Sequence, residues 1–177
     1  MRAATIARNA GIGLASGLAA SFAMDLFQKG LEALKNKLQP EEEADQQESE
    51  SSTVKVANKV SRAASDEPLP EPYKEPAGQA VHYAFGGLLG AAYGAATTAW
   101  PKTATGFGVP FGAAVWAAAD EIGVPAAGLS KPPTESPPST HAYSFLSHLV
   151  FGAALEGSRR TLGASANAFF GPQRQRS

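Results

Sequence analysis

Six ionisable side chains lie within, or at the ends of, segments that are otherwise apolar. Imidazole and carboxylate groups exchange protons and bind cations, and in an apolar setting they are candidates for functional roles. All three histidines of the chain belong to this set. We predict a proton-responsive or ion-binding cluster; the alternative is that each group only meets headgroups and water at a membrane interface. The set is Asp25, His82, Asp120, Glu121, His141 and His148.

Four stretches must position these side chains, and each has small residues at every fourth position. Residues four apart share one face of an α-helix, and glycine there lets a second backbone approach closely, as in membrane helix pairs. Glycine costs roughly 1 kcal/mol relative to alanine in a water-exposed helix, so the run GGLLGAAYGA favours a membrane helix. The glycines predicted to form packing surfaces are Gly13, Gly17, Gly86, Gly90, Gly94, Gly108, Gly112 and Gly152.

Uncharged runs predict where the chain crosses a membrane. No Asp, Glu, Lys or Arg occurs from Pro76 to Pro101 or from Ser136 to Leu155, and only Asp25 interrupts residues 9–28. Each run is close to the roughly 20 residues that span a hydrocarbon core of about 30 Å. A weaker third span, residues 103–122, contains Pro110. The predicted fold is an all-α integral membrane bundle of about four transmembrane helices packed through GxxxG stripes; the alternative is a soluble alanine-rich helical domain.

The predicted organisation has four parts. Residues 9–38 form the first transmembrane helix with an extension, and residues 39–76 form an acidic loop rich in Pro, Ser and Glu. Residues 77–162 form a three-helix membrane region, and residues 163–177 form a basic tail. The loop is too polar to bury a core, so we expect it to be largely disordered, with residues 53–65 either a short interfacial helix or a fluctuating one. A secretory signal at the N-terminus is a further alternative, so whether this segment is retained stays open.

Alternating spans bring the six ionisable side chains to one level of the bundle. Positive residues in short flanks favour the cytoplasmic side, which predicts cytoplasmic termini and places the six groups in the outer leaflet. A polar group remains at the cytoplasmic end, made by Glu156, Arg159 and Arg160. Because an unperturbed histidine titrates near about pH 6.5, acidification outside would add up to three positive charges at the outer level.

Several chemistries are not predicted. The chain has no cysteine, and no nucleotide-binding fingerprint or nucleophile elbow occurs. Imidazole and carboxylate together suit zinc, manganese or iron, but His82, His141 and His148 belong to no compact ligand motif. We therefore predict no metal, no cofactor and no catalytic residue. The expected partners are the lipid bilayer and either a second copy or another membrane protein. Nucleic acid is not expected, because the tail arginines Arg174 and Arg176 equally suit a membrane surface.

Three stretches of the sequence resemble a known family. HYAFGGLLGAAYGA, GVPAAGLSKPP and SHLVFGAALEGSRR are similar to the YagU-like bacterial inner-membrane proteins, over roughly residues 77–162. The shared features are a histidine before a small-residue span, the Gly-Leu-x-x-Pro-Pro turn at residues 128–133, and His-Leu-Val leading to Glu156 and the two arginines. The resemblance implies an inner-membrane protein without catalytic assignment and a connection to acid tolerance. The acidic insert and the alanine-rich spans depart from the family pattern.

We therefore expect a non-enzymatic, multi-pass protein of the bacterial inner membrane. Its role would lie in envelope or acid-stress physiology, as a scaffold or a proton-responsive subunit. The alternative is a channel or transporter component with a polar pathway, and a third class is a membrane enzyme that uses the cluster around a metal. The pathway would be lined by Asp25, His82, Asp120 and His148.

Overall fold

The computed structural model describes residues 2–38 and 50–170, and this part of the chain is all-α. Residues 39–49 of the predicted acidic loop and the arginines at positions 174 and 176 lie outside the described residues. The helices are α1 (Arg2–Leu38), α2 (Ser52–Ser65), α3 (Glu71–Ala99), α4 (Val109–Trp116), a π-helix (Ala117–Gly123), α5 (Val124–Ala126) and α6 (Pro138–Phe170), with 3₁₀ turns at Pro101–Gly108 and Pro133–Glu135.

The longest helix, α1, lies antiparallel to both α3 and α6. At one end Asn9 donates a hydrogen bond to Thr98 of α3, with 2.8 Å between Nδ2 and Oγ1. At the other end Gln79 of α3 donates to Asp25, with 2.6 Å between Nε2 and Oδ2. The run from α4 to α5 packs against α6. We call the end with Asp25 the histidine end and the opposite end, where α3 ends, the arginine end.

Glycines form the contact between α1 and α3. A Cβ atom on Gly90 would overlap the carbonyl oxygen of Gly13, and one on Gly86 would overlap the Ser21 hydroxyl. A Cβ atom on Gly17 would overlap the carbonyl oxygen of Gly86, and Gly94 is closed in by the carbonyl of Asn9 in the same way. The two backbones therefore touch with no side chain between them.

The same arrangement joins α4 to α6. Gly108 lies against the carbonyl of Gly152, and Gly112 lies against the carbonyl of His148. Gly108 also has a φ of +78°, which a residue with a side chain rarely adopts. The glycine at the start of α4 thus permits both a turn and a close approach.

Small and polar residues are buried beside an apolar core of Ala20, Met24, Tyr93, Phe151 and Leu155, while many other large apolar residues face outward. Ser16, Ser21, Ser147 and Glu156 are fully buried. On α1 an exposed face runs along the helix at four-residue spacing. It consists of Leu14, Leu18, Phe22 and Leu26, which are 38–55% exposed. A contiguous exposed apolar face of this kind is uncommon on a water-soluble helical bundle.

One helix in the described part of the chain, Ala3–Leu38, is long and apolar enough by length and composition to cross a membrane. The prediction of an all-α fold is confirmed. The finer prediction of four spans goes beyond this finding and is treated below as a proposal.

The predicted third span is wrong at its start. Residues 101–108 form 3₁₀ turns in which Thr105, Gly106 and Phe107 have non-helical backbone angles, and α4 begins at Val109 rather than at residue 103. Pro110 was expected inside a helix. It lies instead in the first turn of α4, where the N–H that proline lacks would have no hydrogen-bond partner within the helix.

Helix α2 lies within the segment for which disorder was expected. Ser51 caps it by accepting a hydrogen bond from the Val54 N–H at 3.3 Å. Val54 packs on Gly78 of α3, and the Lys55 and Lys59 ammonium groups donate to the carbonyls of Leu129 and Ala127, each at 2.9 Å. Helix α2 therefore bridges α3 and the turn after α5 at the histidine end.

A surface ion pair fixes the start of α3 next to α2. The Lys74 Nζ atom lies 2.6 Å from a Glu71 carboxylate oxygen and 3.2 Å from one of Glu50. Hydrogen bonds to these two carboxylates raise the pKa of the Lys74 ammonium group above its usual value.

The glycine contacts predict opposite effects for two alanine substitutions. Gly90→Ala should lower the unfolding free energy by about 2 kcal/mol, because the new methyl group overlaps the α1 backbone. Gly11→Ala should be neutral or stabilising, since nothing lies within 4 Å of a Cβ there and alanine favours the helix. Denaturant titrations of detergent-solubilised protein, followed by circular dichroism, measure both. Equal stability of the two variants would contradict the assigned contact.

Candidate functional site

The structure places each histidine beside a carboxylate from a different helical element. His82 of α3 lies 3.2 Å from Asp25 of α1. The other two pairs join α6 to the π-helix: His141 Nδ1 is 2.7 Å from a Glu121 oxygen, and His148 Nδ1 is 3.6 Å from an Asp120 oxygen. These six residues are the predicted set, and we call them the histidine cluster.

Asp25 contacts three residues on one face of α3. Its Oδ2 atom accepts hydrogen bonds from Gln79 at 2.6 Å and from the Tyr83 hydroxyl at 3.0 Å. The His82 Nε2 atom lies near Oδ1 but off the hydrogen-bond axis, so that contact is electrostatic. The two hydrogen bonds to Oδ2 thus orient the Asp25 carboxylate toward α3 and leave Oδ1 facing His82.

His141 has two acceptors, one at each ring nitrogen. The Glu121 carboxylate faces Nδ1, and the carbonyl oxygen of Pro133 lies 3.0 Å from Nε2. A neutral imidazole carries a hydrogen on only one nitrogen, whereas the protonated ring donates from both. With Glu121 ionised, the site is therefore built for the protonated form of His141.

The π-helix turns two adjacent carboxylates toward different partners on α6. Asp120 receives a short hydrogen bond from the Ser144 hydroxyl and faces His148, while Glu121 reaches His141. A π-helix is rare and is frequent at functional sites, because the wider turn redirects side chains. The sequence analysis missed this element, although Ala-Ala-Ala-Asp-Glu before Gly123 marks a weakly packed turn.

A cavity of about 1040 Å³ opens at the histidine cluster between α1, α3, α4 and α6. Phe111 and Tyr93 close off the region between α4 and α3, with ring centroids 4.6 Å apart. All six members of the cluster line the cavity, and α2 borders its mouth through Ser52, Thr53 and Val56. Its inner walls are apolar and are formed by Met24, Leu89, Phe111, Val115 and Phe151.

The arginine end holds a second, separate polar group. Glu156 is fully buried and accepts hydrogen bonds from Arg159 at 2.7 and 2.9 Å, from Arg160 at 2.6 Å and from the Tyr93 hydroxyl at 3.0 Å. Arg160 also stacks over the Phe107 ring at 4.9 Å. The predicted grouping of Glu156 with the two arginines is present here, and Tyr93 is a partner that the sequence analysis missed.

The histidines do not converge on a common point. Across residues 2–38 and 50–170, no group of three or more His, Asp or Glu side chains is arranged to hold a metal ion. The site consists of three imidazole–carboxylate pairs around a cavity.

The buried carboxylate predicts unequal effects at the arginine end. Glu156→Gln should lower the unfolding free energy by about 3 kcal/mol, because it leaves Arg159 without its ion pair. Arg160→Gln should cost about 1 kcal/mol or less, since the Arg160 side chain is 56% exposed. Denaturant unfolding of both variants provides the measurement. A larger loss for Arg160→Gln than for Glu156→Gln would contradict the assignment.

Comparison with known proteins gives a family match to residues 71–157, slightly less than half of the chain. Neither curated proteins nor solved structures gave a match to this chain. The matched family region runs from the first residue of α3 into α6, so it includes the cluster members other than Asp25, as well as Glu156. Residues 71–157 match the family model described as a protein of unknown function, DUF1440, and this stretch is thus a domain of unknown function.

Proposed function

We propose that this chain is a non-enzymatic, multi-pass protein of the bacterial inner membrane, of the YagU-like kind, with a proton-responsive histidine cluster. Its role would lie in envelope or acid-stress physiology. The observation that carries the proposal is that each histidine pairs with a carboxylate of another helical element.

The surface of the helices supports the membrane setting. Large apolar side chains face outward on several helices, among them Phe22 and Leu26 on α1 and Leu88 on α3. The interior is closed by glycines and serines instead. Water would penalise this surface, whereas lipid solvates it and leaves small-residue contacts to hold the helices together. Four segments would span the bilayer: α1, α3, the run from α4 to α5, and α6.

Protonation would act directly on contacts between helices. A neutral histidine gives its carboxylate at most a hydrogen bond, whereas a protonated one gives an ion pair. His82 faces Asp25 of α1, and His141 and His148 face Glu121 and Asp120 of the π-helix. Lys131 lines the same cavity from the turn before α6. As the pH falls through the histidine range, all three pairs would tighten the histidine end.

A through-going channel has less support. Toward the arginine end, the interior is filled by the buried side chains of Tyr93, Leu155 and Glu156. The cavity reaches the surface at the histidine end, where its lining residues are partly exposed. One-sided access suits a site that responds to, or binds, something from one compartment.

Cysteine accessibility tests the membrane arrangement, because the chain has no cysteine of its own. Single cysteines at Ser65, after the histidine end, and at Ser165, near the end of α6, lie on exposed positions. In intact bacterial cells a membrane-impermeant maleimide should label Ser65→Cys from the periplasm, while Ser165→Cys should require lysis. Labelling of both in intact cells, or release of the protein by carbonate washing, would contradict the proposed topology.

The proton response is tested by stability against pH. Between about pH 7 and about pH 5 the unfolding free energy should rise by about 1 kcal/mol or more, as protonated histidines pair with carboxylates. The contribution is present at the acid end of this window and is lost as the pH rises. The matched control is the triple variant His82→Gln, His141→Gln, His148→Gln, which should give a flat profile. A wild type that is equally flat would remove the histidines as sensors.

A double-mutant cycle sharpens this test at the shortest pair. His141→Gln and Glu121→Gln should each lower stability at about pH 5, and the double variant should lose less than the sum. The coupling should shrink as the pH is raised to about 9 and the histidine loses its proton. Coupling that is independent of pH would mean that the pair is only a hydrogen bond.

A further inference from the structure

We propose that the cavity at the histidine cluster binds an amphiphilic amine, with its apolar body between the helices and its protonated nitrogen at the carboxylates. This inference rests on the membrane placement proposed above, but it does not depend on a change of stability with pH. The volume of the cavity, about 1040 Å³, is at the upper end of the range for small-molecule sites.

The lining has the polarity that such a ligand requires. Met24, Leu89 and Phe151 present apolar surface deep in the cavity, and Phe111 closes it against Tyr93. Polar side chains gather at the other side, around Asp25 and the π-helix. A molecule with one apolar and one polar end therefore has a single favourable orientation.

The sign of the charge at the rim selects a cation. The carboxylates of Asp25, Asp120 and Glu121 line the cavity together. Their hydrogen-bond and ion-pair partners in the described part of the chain are neutral groups and histidines, while Lys131 is the lining residue with a permanent positive charge. When the histidines are neutral, the rim carries an excess of negative charge. An ammonium group would neutralise that charge, whereas an anionic lipid or fatty acid would be repelled.

A buried serine supplies an independent observation. The Ser21 side chain is fully buried and lines the cavity, and its Oγ atom has no hydrogen-bond partner among the described residues. Two other buried serines, Ser16 and Ser147, each donate to the carbonyl one turn earlier at 2.8 Å. Buried polar atoms are rarely left unpaired, so the Ser21 hydroxyl is available to a ligand. It lies one helical turn from Asp25 on the same face of α1, beside Gly86 at the wall of the cavity.

Matched probes test the proposal on full-length protein in nanodiscs of zwitterionic lipid. Aminoadamantane, adamantanol and adamantane carboxylate share one apolar body and differ in charge. Equilibrium binding is measured at about pH 9, well above the usual histidine range, with empty nanodiscs subtracted. We expect saturable binding of the amine, binding of the alcohol weaker by about tenfold, and no binding of the carboxylate.

Variants separate the cavity from the membrane. Asp25→Asn and Asp120→Asn should each weaken amine binding by about tenfold, and Ser21→Ala should weaken it by a smaller factor. Asp66→Asn, at the exposed end of α2, is the matched control and should have no effect. Ala118→Phe should fill the cavity and abolish binding while the helical circular dichroism stays unchanged.

Three results would overturn the inference. Equal binding of all three probes, or amine binding that survives both Asp25→Asn and Ala118→Phe, would make the cavity a cleft filled by bilayer lipid. Absence of saturable amine binding to the folded wild type would do the same. If the wild type still shows the pH-dependent stability described above, the proton response stands and only the ligand is wrong.

Discussion

The backbone contact between α1 and α3 is the constraint on which the rest of the structure depends. Gly13, Gly17, Gly86 and Gly90 bring the two backbones into direct contact, so a Cβ atom on any of them would overlap the other helix. That contact fixes the register. With Gly17 against Gly86, the antiparallel helices bring Asp25, two turns further along α1, to the first half of α3, beside Gln79, His82 and Tyr83. Glycine packing thus brings together Asp25 and His82, the first pair of the histidine cluster.

The cavity exists because glycines join α1 to α3 and α4 to α6, but not α3 to α4. Gly108, Gly112 and Gly152 bring α4 against α6 as closely as α1 approaches α3. Between α3 and α4 the contact is instead made by two rings, Tyr93 and Phe111, and beyond them toward the histidine end the helices are separated by the cavity. Rings hold backbones farther apart than glycines do, so a bundle with two close pairs and one ring contact has space left inside. The π-helix then turns Asp120 and Glu121 toward α6.

The sequence predicts the parts of this structure that depend on spacing along one helix. Glycines four apart predict helix faces, and alternating helix directions predict that Asp25, His82 and His141 lie at one end. Individual side-chain contacts between two helices could not be predicted, such as Tyr93 with Glu156 or Ser144 with Asp120. The start of α4 was also missed, because the left-handed Gly106, Phe107 and Gly108 read as ordinary apolar residues of a span. Local spacing does not encode where a backbone turns.

The two ends of the bundle differ in the kind of cation that pairs with the carboxylates. At the arginine end the pairing of Glu156 uses guanidinium groups, which keep their charge at every physiological pH. At the histidine end, the corresponding contacts use imidazoles, which change charge within that range. Under the proposed function, a shift in pH would therefore alter the attraction between helices at one end and leave the other unchanged. Because Tyr93 and Phe111 hold α3 and α4 together at the closed end of the cavity, a weakened histidine end would widen the cavity from its mouth. Occupancy of the cavity and protonation of the cluster are then linked, since both neutralise the same three carboxylates.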